Sequence, residues 1–344
     1  MSNEATIEKK FVRKKSFLVW LLWLLLAGLS FCVLVILVAW AAGALYFDLP
    51  ASAPVRTTAA IVWIVVAAAI ILFGGLRGRV VVLIAWVGIV GWWLTLRPTQ
   101  DANWDPVVAR IPHATIQGDH ITVYDIRNFD YRTADDFTPR YDTQIFDLVN
   151  LRGLDLFINY WGSPYMAHPI LSFDFGPQGR LCFSIEIRPK AGQPYSPVGG
   201  LYRRYELIYI AANERDVIRL RTNCRHEDIY LYRLKLPLSD VRTRLMEYLQ
   251  RINALYEHAE WYNEVTENCT TSIRAQHARS QRIPWDWRML INGFMDQMLY
   301  ERHVLAGNLP FAELKERALI NGRALGAGDS PDFSEQIRAG APGF

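Results

Sequence analysis

The sequence predicts an α+β protein in which three N-terminal transmembrane helices precede an external domain that combines an antiparallel sheet with helices. Three observations lead there: three long uncharged runs before Arg97, short alternating runs between about residues 115 and 235, and helical spacing of apolar residues after Ser239. Hydrophobic residues make up 51% of the 344, a share that a soluble globular domain seldom reaches unless part of it lies in lipid.

The excess is local. No charged residue occurs from Ser16 to Phe47, and "FLVWLLWLLLAGLSFCVLVILVAW" exceeds the roughly 20 apolar residues that span a bilayer. It also far exceeds the apolar core of about 7–15 residues in a cleaved signal peptide, so it is read as a retained span. A second uncharged run lies between Arg56 and Arg77, and a third, "VVVLIAWVGIVGWWLTL", between Arg79 and Arg97. Cationic loops are retained on the cytoplasmic side. Lys9, Lys10, Arg13, Lys14 and Lys15 before the first span, and Arg77 and Arg79 between the second and third, therefore belong inside. Everything after Arg97 then emerges on the outer face, with Trp92 and Trp93 suited to the aromatic belt there.

Five segments follow: a basic cytoplasmic N-terminus 1–15, a membrane domain 16–97, a linker 98–114, an external domain 115–321 and an extended tail 322–344, whose Gly, Ala and Pro show no periodicity. The net charge of +3 gives no argument for nucleic acid. Cys32 is intramembrane. Cys182, Cys224 and Cys269 face an oxidising compartment and form at most one disulfide among themselves, which leaves a thiol over.

In the external domain "DHITVYDI", "HPILSFDF", "RLCFSIEIR", "RYELIYIA" and "DIYLYRLKL" alternate as strands do. "SDVRTRLMEYLQRINALYEHA" sets Val241, Leu245, Leu249, Ile252 and Leu255 on one helix face, capped by Ser239 or Asp240. The Cys269 segment and "WDWRMLINGFMDQMLYERHV" supply two more helices. A three-residue loop Pro177-Gln178-Gly179, with Gly179 left-handed, would pair Asp174 with Cys182, Ser172 with Ser184, Ile170 with Glu186 and His168 with Arg188. One hairpin face is then apolar core, and the other is a polar face carrying His168, Ser172, Ser184, Glu186 and Arg188.

In "EWYNEVTENCTTSIRAQ", Asn268 is a favoured N-cap and Cys269 falls in the first turn of a predicted helix. Unpaired N–H groups and the helix dipole there stabilise a thiolate, the form required of a nucleophile. His168, with Glu186 and Arg188 as neighbours able to orient its ring, is the best placed imidazole. A cysteine near a helix start is more often a small buried hydrophobe, and a strand histidine is usually structural. Cys182, mid-strand, is read as structural, and no helix pattern follows Cys224. "RHED" at 225–228 lacks the second ligand pair of a zinc motif, so no metal site is expected. Arg188, Arg203, Arg204, Arg219, Arg221 and Arg225 are candidates for binding phospholipid headgroups or phosphate.

"WYNEVTENCTTSI", together with "MAHPILSFDF" and "FSIEIR", resembles the periplasmic domain of the Lnb-type lipoprotein N-acyltransferase family. "GLYRRYELIYI", "DVIRLRTNCR", "IYLYRL", "NGFMDQMLYERHVL" and "DFSEQIRAG" extend the resemblance from about residue 115 to the end. It implies a permuted papain-like fold, similar to NlpC-type peptidases and lecithin retinol acyltransferase, in which His precedes Cys. It further implies Cys269 as nucleophile and His168 as base, in a multi-pass protein of the bacterial inner membrane with its catalytic domain in the periplasm. Glu186 is the nominated third polar residue, and the amides at Cys269 and Thr270 would stabilise an oxyanion. In the founding acyltransferases the periplasmic domain precedes the membrane spans, whereas here three spans come first.

The expected activity is a membrane-anchored thiol acyltransferase without metal or cofactor. Its donor is an ester of a membrane phospholipid, and its acceptor is a lipoprotein N-terminus or another amine. The same dyad with water as acceptor would make a cysteine peptidase or amidase acting on peptidoglycan or peptides. A packed Cys269 would instead leave a non-catalytic, membrane-tethered envelope module.

Overall fold

A computed structural model describes residues 2–264, 286–289 and 291–344, with side chains from Val19 onward. The predicted nucleophile Cys269 and its neighbours Asn268 and Thr270 lie outside the described residues. The chain divides into two compact units, residues 1–97 with Tyr202–Arg204, and Pro98–Leu201 with Tyr205–Phe344.

The first unit holds α1 (Ser2–Asp48), α2 (Ala53–Phe73) and α3 (Gly75–Thr95). Each contains a stretch long and apolar enough to cross a membrane: Val19–Asp48, Ala53–Phe73 and Gly75–Thr95. They meet through Val38, Ala67 and Val82, while Leu22, Trp23, Ile36, Leu72 and Ile84 point outward, as lipid-facing side chains do. The turn from α2 to α3 is tight because a Cβ at Gly78 would sit 2.3 Å from the Ile70 carbonyl oxygen.

The second unit is built on an eight-stranded sheet. Its strands are β1 (His113–Gln117), β2 (His120–Arg127), β5 (Tyr141–Asp147), β6 (Gly153–Tyr160), β7 (Ala167–Asp174), β8 (Arg180–Arg188), β9 (Glu206–Ala212) and β10 (Asp228–Arg233). A separate small hairpin joins β3 (Asp130–Tyr131) to β4 (Phe137–Thr138). The main order is β1-β2-β9-β8-β7-β6-β10, with β5 also on β2. Neighbours run antiparallel except β2 and β9, which touch in parallel at Arg127 and Ala212.

Both faces of the sheet are covered. On one, α5 (Leu238–Glu257) buries Val241, Leu245, Leu249, Ile252 and Leu255, the face its spacing predicts, against Phe173, Phe183 and Tyr209. The helix starts two or three residues earlier than expected, with Pro237 rather than Ser239 or Asp240 at the cap and the Pro237 carbonyl accepting from Val241 N–H at 3.1 Å. On the other face Phe157, Ile170, Cys182, Ile208 and Ile210 pack beneath Val217, Ile218, Ala324, Phe333 and Ile337. The polar hairpin face read from the sequence is therefore a second buried layer.

Several expectations are corrected by this packing. The β7–β8 hairpin pairs Asp174 with Arg180, Ser172 with Cys182 and Ile170 with Ser184, two residues away from the predicted register. The turn comes one residue earlier than predicted, over Gly176–Gln178 and closed by the Phe175 N–H on the Gly179 carbonyl at 3.0 Å, with positive φ at Gly176, 56°, and Gly179, 89°. A two-residue slip keeps every side chain on its predicted face. The 322–344 tail is not extended over the surface: helices at Asn321–Ala327 and Phe333–Gln336 bury Ala324, Phe333 and Ile337, and Arg338 is 5% exposed. Residues 98–114 are likewise built into the second unit, where Trp104 pairs with Lys190 and Val108 is buried. The single helix predicted over 285–304 is broken into turns at Trp287–Met289 and Asn292–Phe294 followed by a helix at Met295–Glu301. Gly293 causes the break, since a Cβ there would lie 2.2 Å from the Pro164 carbonyl oxygen.

Candidate active site

Three adjacent strands supply the site. On the second buried face, β6 carries Asp155, Phe157 and Asn159, β7 carries Ser172, Ile170 and His168, and β8 carries Cys182, Ser184 and Glu186. The observed register brings Glu186, rather than Arg188, beside His168. The His168 Nε2 lies 2.7 Å from Ser184 Oγ and 3.1 Å from Glu186 Oε1. Ser184 donates its hydroxyl to the same Glu186 oxygen at 2.6 Å, and Arg221 donates to it from a terminal nitrogen at 2.7 Å. Because the serine proton is committed to Glu186, Ser184 Oγ accepts from His168 Nε2–H, and the network assigns basicity in the neutral ring to Nδ1.

Burial pushes the Glu186 carboxyl up, but the His168 charge and hydrogen bond, the Arg221 guanidinium and the Ser184 hydroxyl together hold it well below the ordinary 4.5. Arg221 is fixed in turn by donating to the Val217 carbonyl at 2.9 Å. It projects from an unusual wide turn, Leu220–Cys224, that continues α4 (Glu214–Arg219) with i→i+5 spacing. Asn159, opposite His168 on β6, donates to Glu227 Oε2 at 2.7 Å.

His168, Glu186 and Arg221 line a cavity of about 660 Å³ whose walls are otherwise largely apolar, with Val107, Ile185, Ile187, Ile210, Leu220 and Tyr262 among them. That volume lies inside the roughly 300–1,000 Å³ usual for small-molecule sites. The Trp161 ring meets the His168 ring edge-on at 6.2 Å. Two anchored segments close the wall. Glu264, a lining residue, donates its backbone N–H to the Gly200 carbonyl at 2.9 Å, and Asn292, also lining, accepts the N–H of Ala167 at 2.7 Å beside His168.

The other nominated residues stand elsewhere. Arg188 donates to the Val108 and Ala109 carbonyls and to Gln100, and stacks on Trp104 at 4.1 Å. Arg219 donates to the Tyr131 carbonyl at 3.1 Å. Neither lines the cavity, whereas Arg221 and Arg225 do. Arg203 belongs to the first unit, where it donates to the Trp93 and Leu96 carbonyls. Cys182 is a fully buried free thiol whose pKa burial pushes well up, which makes it a poor nucleophile, and Cys224 is also free. Among the described residues no group of His, Cys, Asp and Glu is placed to hold a metal ion.

Sequence reasoning assigned no role to Ser184 and gave Arg221 to headgroup binding rather than to Glu186. The available signal was the period-2 spacing of Ser184 and Glu186; the Arg221 contact depends on the wide turn and had no local signal. Residues 137–293 match the family model of the Lnb N-terminal periplasmic domain, the family that the chain's motifs resemble, over a shorter span than those motifs cover. No curated protein and no solved structure matches the chain.

Proposed function

We propose that the second unit is a cysteine acyltransferase of the periplasmic face of the bacterial inner membrane, with Cys269 as nucleophile, His168 as base and Glu186 as the residue that orients it. The observation that carries this reading is the convergence of His168 Nε2, Ser184 and Arg221 on one oxygen of Glu186 in the wall of an apolar cavity. Cys269 follows Glu264 of that wall by five residues in sequence.

In the proposed reaction the Cys269 thiolate adds to the ester carbonyl of a phospholipid or other membrane lipid, and the tetrahedral intermediate expels the lipid alkoxide. The alkoxide takes the proton of the His168 imidazolium, which leaves a thioester on Cys269. A lipoprotein N-terminus or another amine then attacks the thioester as His168 accepts the amine proton, and the amide departs as the thiolate re-forms. Amides at Cys269 and Thr270, in the helix start that the sequence predicts, would serve as oxyanion donors. Glu186 stays ionised and stabilises the imidazolium, while the apolar walls suit an acyl chain better than a peptide.

Intact mass spectrometry of the full chain purified from membranes tests this. The expected result is a fatty-acyl adduct on Cys269 that disappears in Cys269→Ala and discharges onto an added amine. His168→Ala should slow adduct formation by about 10³-fold or more. Discharge onto water alone would replace transfer with hydrolysis, and adduct and turnover unchanged in both variants would overturn the reading.

A further inference from the structure

Large apolar side chains surround the mouth of the His168 cavity. Trp161, Tyr165, Met166 and Ile291 all line it and are all exposed, Tyr165 to 58%. The patch continues outward, because the Tyr165 ring contacts Phe294 at 5.9 Å and Phe294 contacts Trp287, 52% exposed, at 5.7 Å. Apolar residues scattered singly over a surface need no explanation, but a contiguous aromatic group around one opening does.

The rim is a built surface. Its two segments, 161–166 and 287–294, are locked together by the Ala167 N–H on Asn292 Oδ1 at 2.7 Å and the Gly293 N–H on the Tyr165 carbonyl at 3.0 Å. The cavity also holds Arg225, exposed and making no side-chain hydrogen bond or ion pair among the described residues.

We propose that this rim inserts into the interfacial layer of a lipid bilayer, setting the cavity mouth at the level of lipid ester groups with Arg225 against anionic lipid phosphates. Trp and Tyr suit that layer because an apolar ring carries one polar group that stays wet. A guanidinium unpaired among the described residues is complementary to lipid phosphate. A bilayer is always at hand, since only Leu96 and Arg97 separate the end of α3 from the start of the second unit at Pro98. The inference gives the lipid-ester reading its route of substrate entry and rests on that reading for its purpose, while its test requires no turnover.

The full chain is placed in nanodiscs of phosphatidylcholine and phosphatidylglycerol bearing acyl-chain nitroxides, with an environment-sensitive fluorescent amino acid at Trp287 or, as reference, at the exposed Tyr256. The probe at 287 should be quenched about twofold or more beyond the probe at 256, the difference expected between an interfacial and an aqueous position. Tyr165→Asp with Met166→Asp, both at exposed positions, should abolish the excess, and Arg225→Glu should remove the part that depends on phosphatidylglycerol. Equal quenching at 287 and 256, or shielding of 287 only by a co-purifying protein, would overturn the inference. An acyl adduct without rim quenching leaves the enzyme reading intact, and quenching without an adduct leaves only the rim.

Discussion

The two ends of one sheet face handle buried charge differently. At one end Asp155 of β6 and Glu214 of α4 are bridged by Arg338, with contacts of 2.7 and 2.5 Å and side chains no more than 5% exposed. Ser172 donates to Glu214, and Arg233 pairs with Asp155 and Asp174. Charge there is matched by opposite charge and sealed under the C-terminal helices. At the other end, His168, Ser184 and Arg221 converge on one Glu186 oxygen, and the Glu186 side chain keeps 24% exposure on the cavity. Burial works against the carboxylates at both ends, but only at the second does an imidazole join the pairing, bound through Nε2 at a cavity wall.

Breaking the sealed end should have the largest effect. Arg338→Met keeps most of the aliphatic stem and leaves Asp155 and Glu214 buried beside each other, which should cost about 3–5 kcal/mol of stability at neutral pH. Burial already pushes the Asp155 carboxyl up to about 6 against the pull of Arg338 and Arg233. A carboxyl raised in the folded state contributes stability that is present below its unfolded value and lost as pH rises through the folded one. Losing Arg338 raises Asp155 further and removes the pull that holds Glu214 below its ordinary value, so the deficit should grow from about pH 5 to 7. Equilibrium unfolding in detergent across that range checks it, and a variant as stable as the parent would show the cluster to be dispensable.

At the open end Glu186→Gln should reverse the balance between stability and function. Glutamine still accepts from Arg221, so stability should fall by only about 1–2 kcal/mol, whereas the proposed acyl transfer should drop by about 10²-fold or more without a charge to stabilise the imidazolium. The pH sign is opposite to that of Asp155. Because the folded-state value of Glu186 is depressed, its contribution is present above about pH 4.5 and lost as pH falls through the folded value. The variant should therefore lack that acid loss of stability, which unfolding below pH 5 would reveal. Loss of stability without loss of activity would make Glu186 a structural residue like those of the sealed end.

The difference between the two ends also explains what was legible in the sequence. Membrane spans and the α5 stripe are local periodicities and could be read directly. The hairpin faces were legible because side chains alternate with period 2 whatever the register, but the register depended on two positive-φ glycines, and only that slip gives His168 its Glu186 neighbour. β6, "GLDLFINY", was missed because burial on both faces removes the alternation that marks a strand. Arg338 was placed in a loose tail, since nothing near it in sequence announces that its partner Asp155 lies 183 residues away. Compositional signals report local solvent exposure, whereas a buried ion cluster is defined by long-range closure.

The smallest predicted effect concerns Ser184, and it separates two ways in which the open end could orient its histidine. The Ser184 hydroxyl lies between His168 Nε2 and Glu186 at 2.7 and 2.6 Å, yet His168 also reaches Glu186 directly at 3.1 Å. If the direct contact orients the ring, Ser184→Ala removes one hydrogen bond worth about 1 kcal/mol and slows the proposed acyl transfer by a few-fold, up to about tenfold, with KM unchanged. Ser184→Thr, which keeps the hydroxyl, should restore the rate. If the serine instead relays the whole interaction, Ser184→Ala should match Glu186→Gln, and the double variant should be no slower than either single one. Single-turnover acylation rates of Ser184→Ala, Glu186→Gln and the double variant decide between these outcomes, because groups acting as one unit are non-additive while independent contacts multiply.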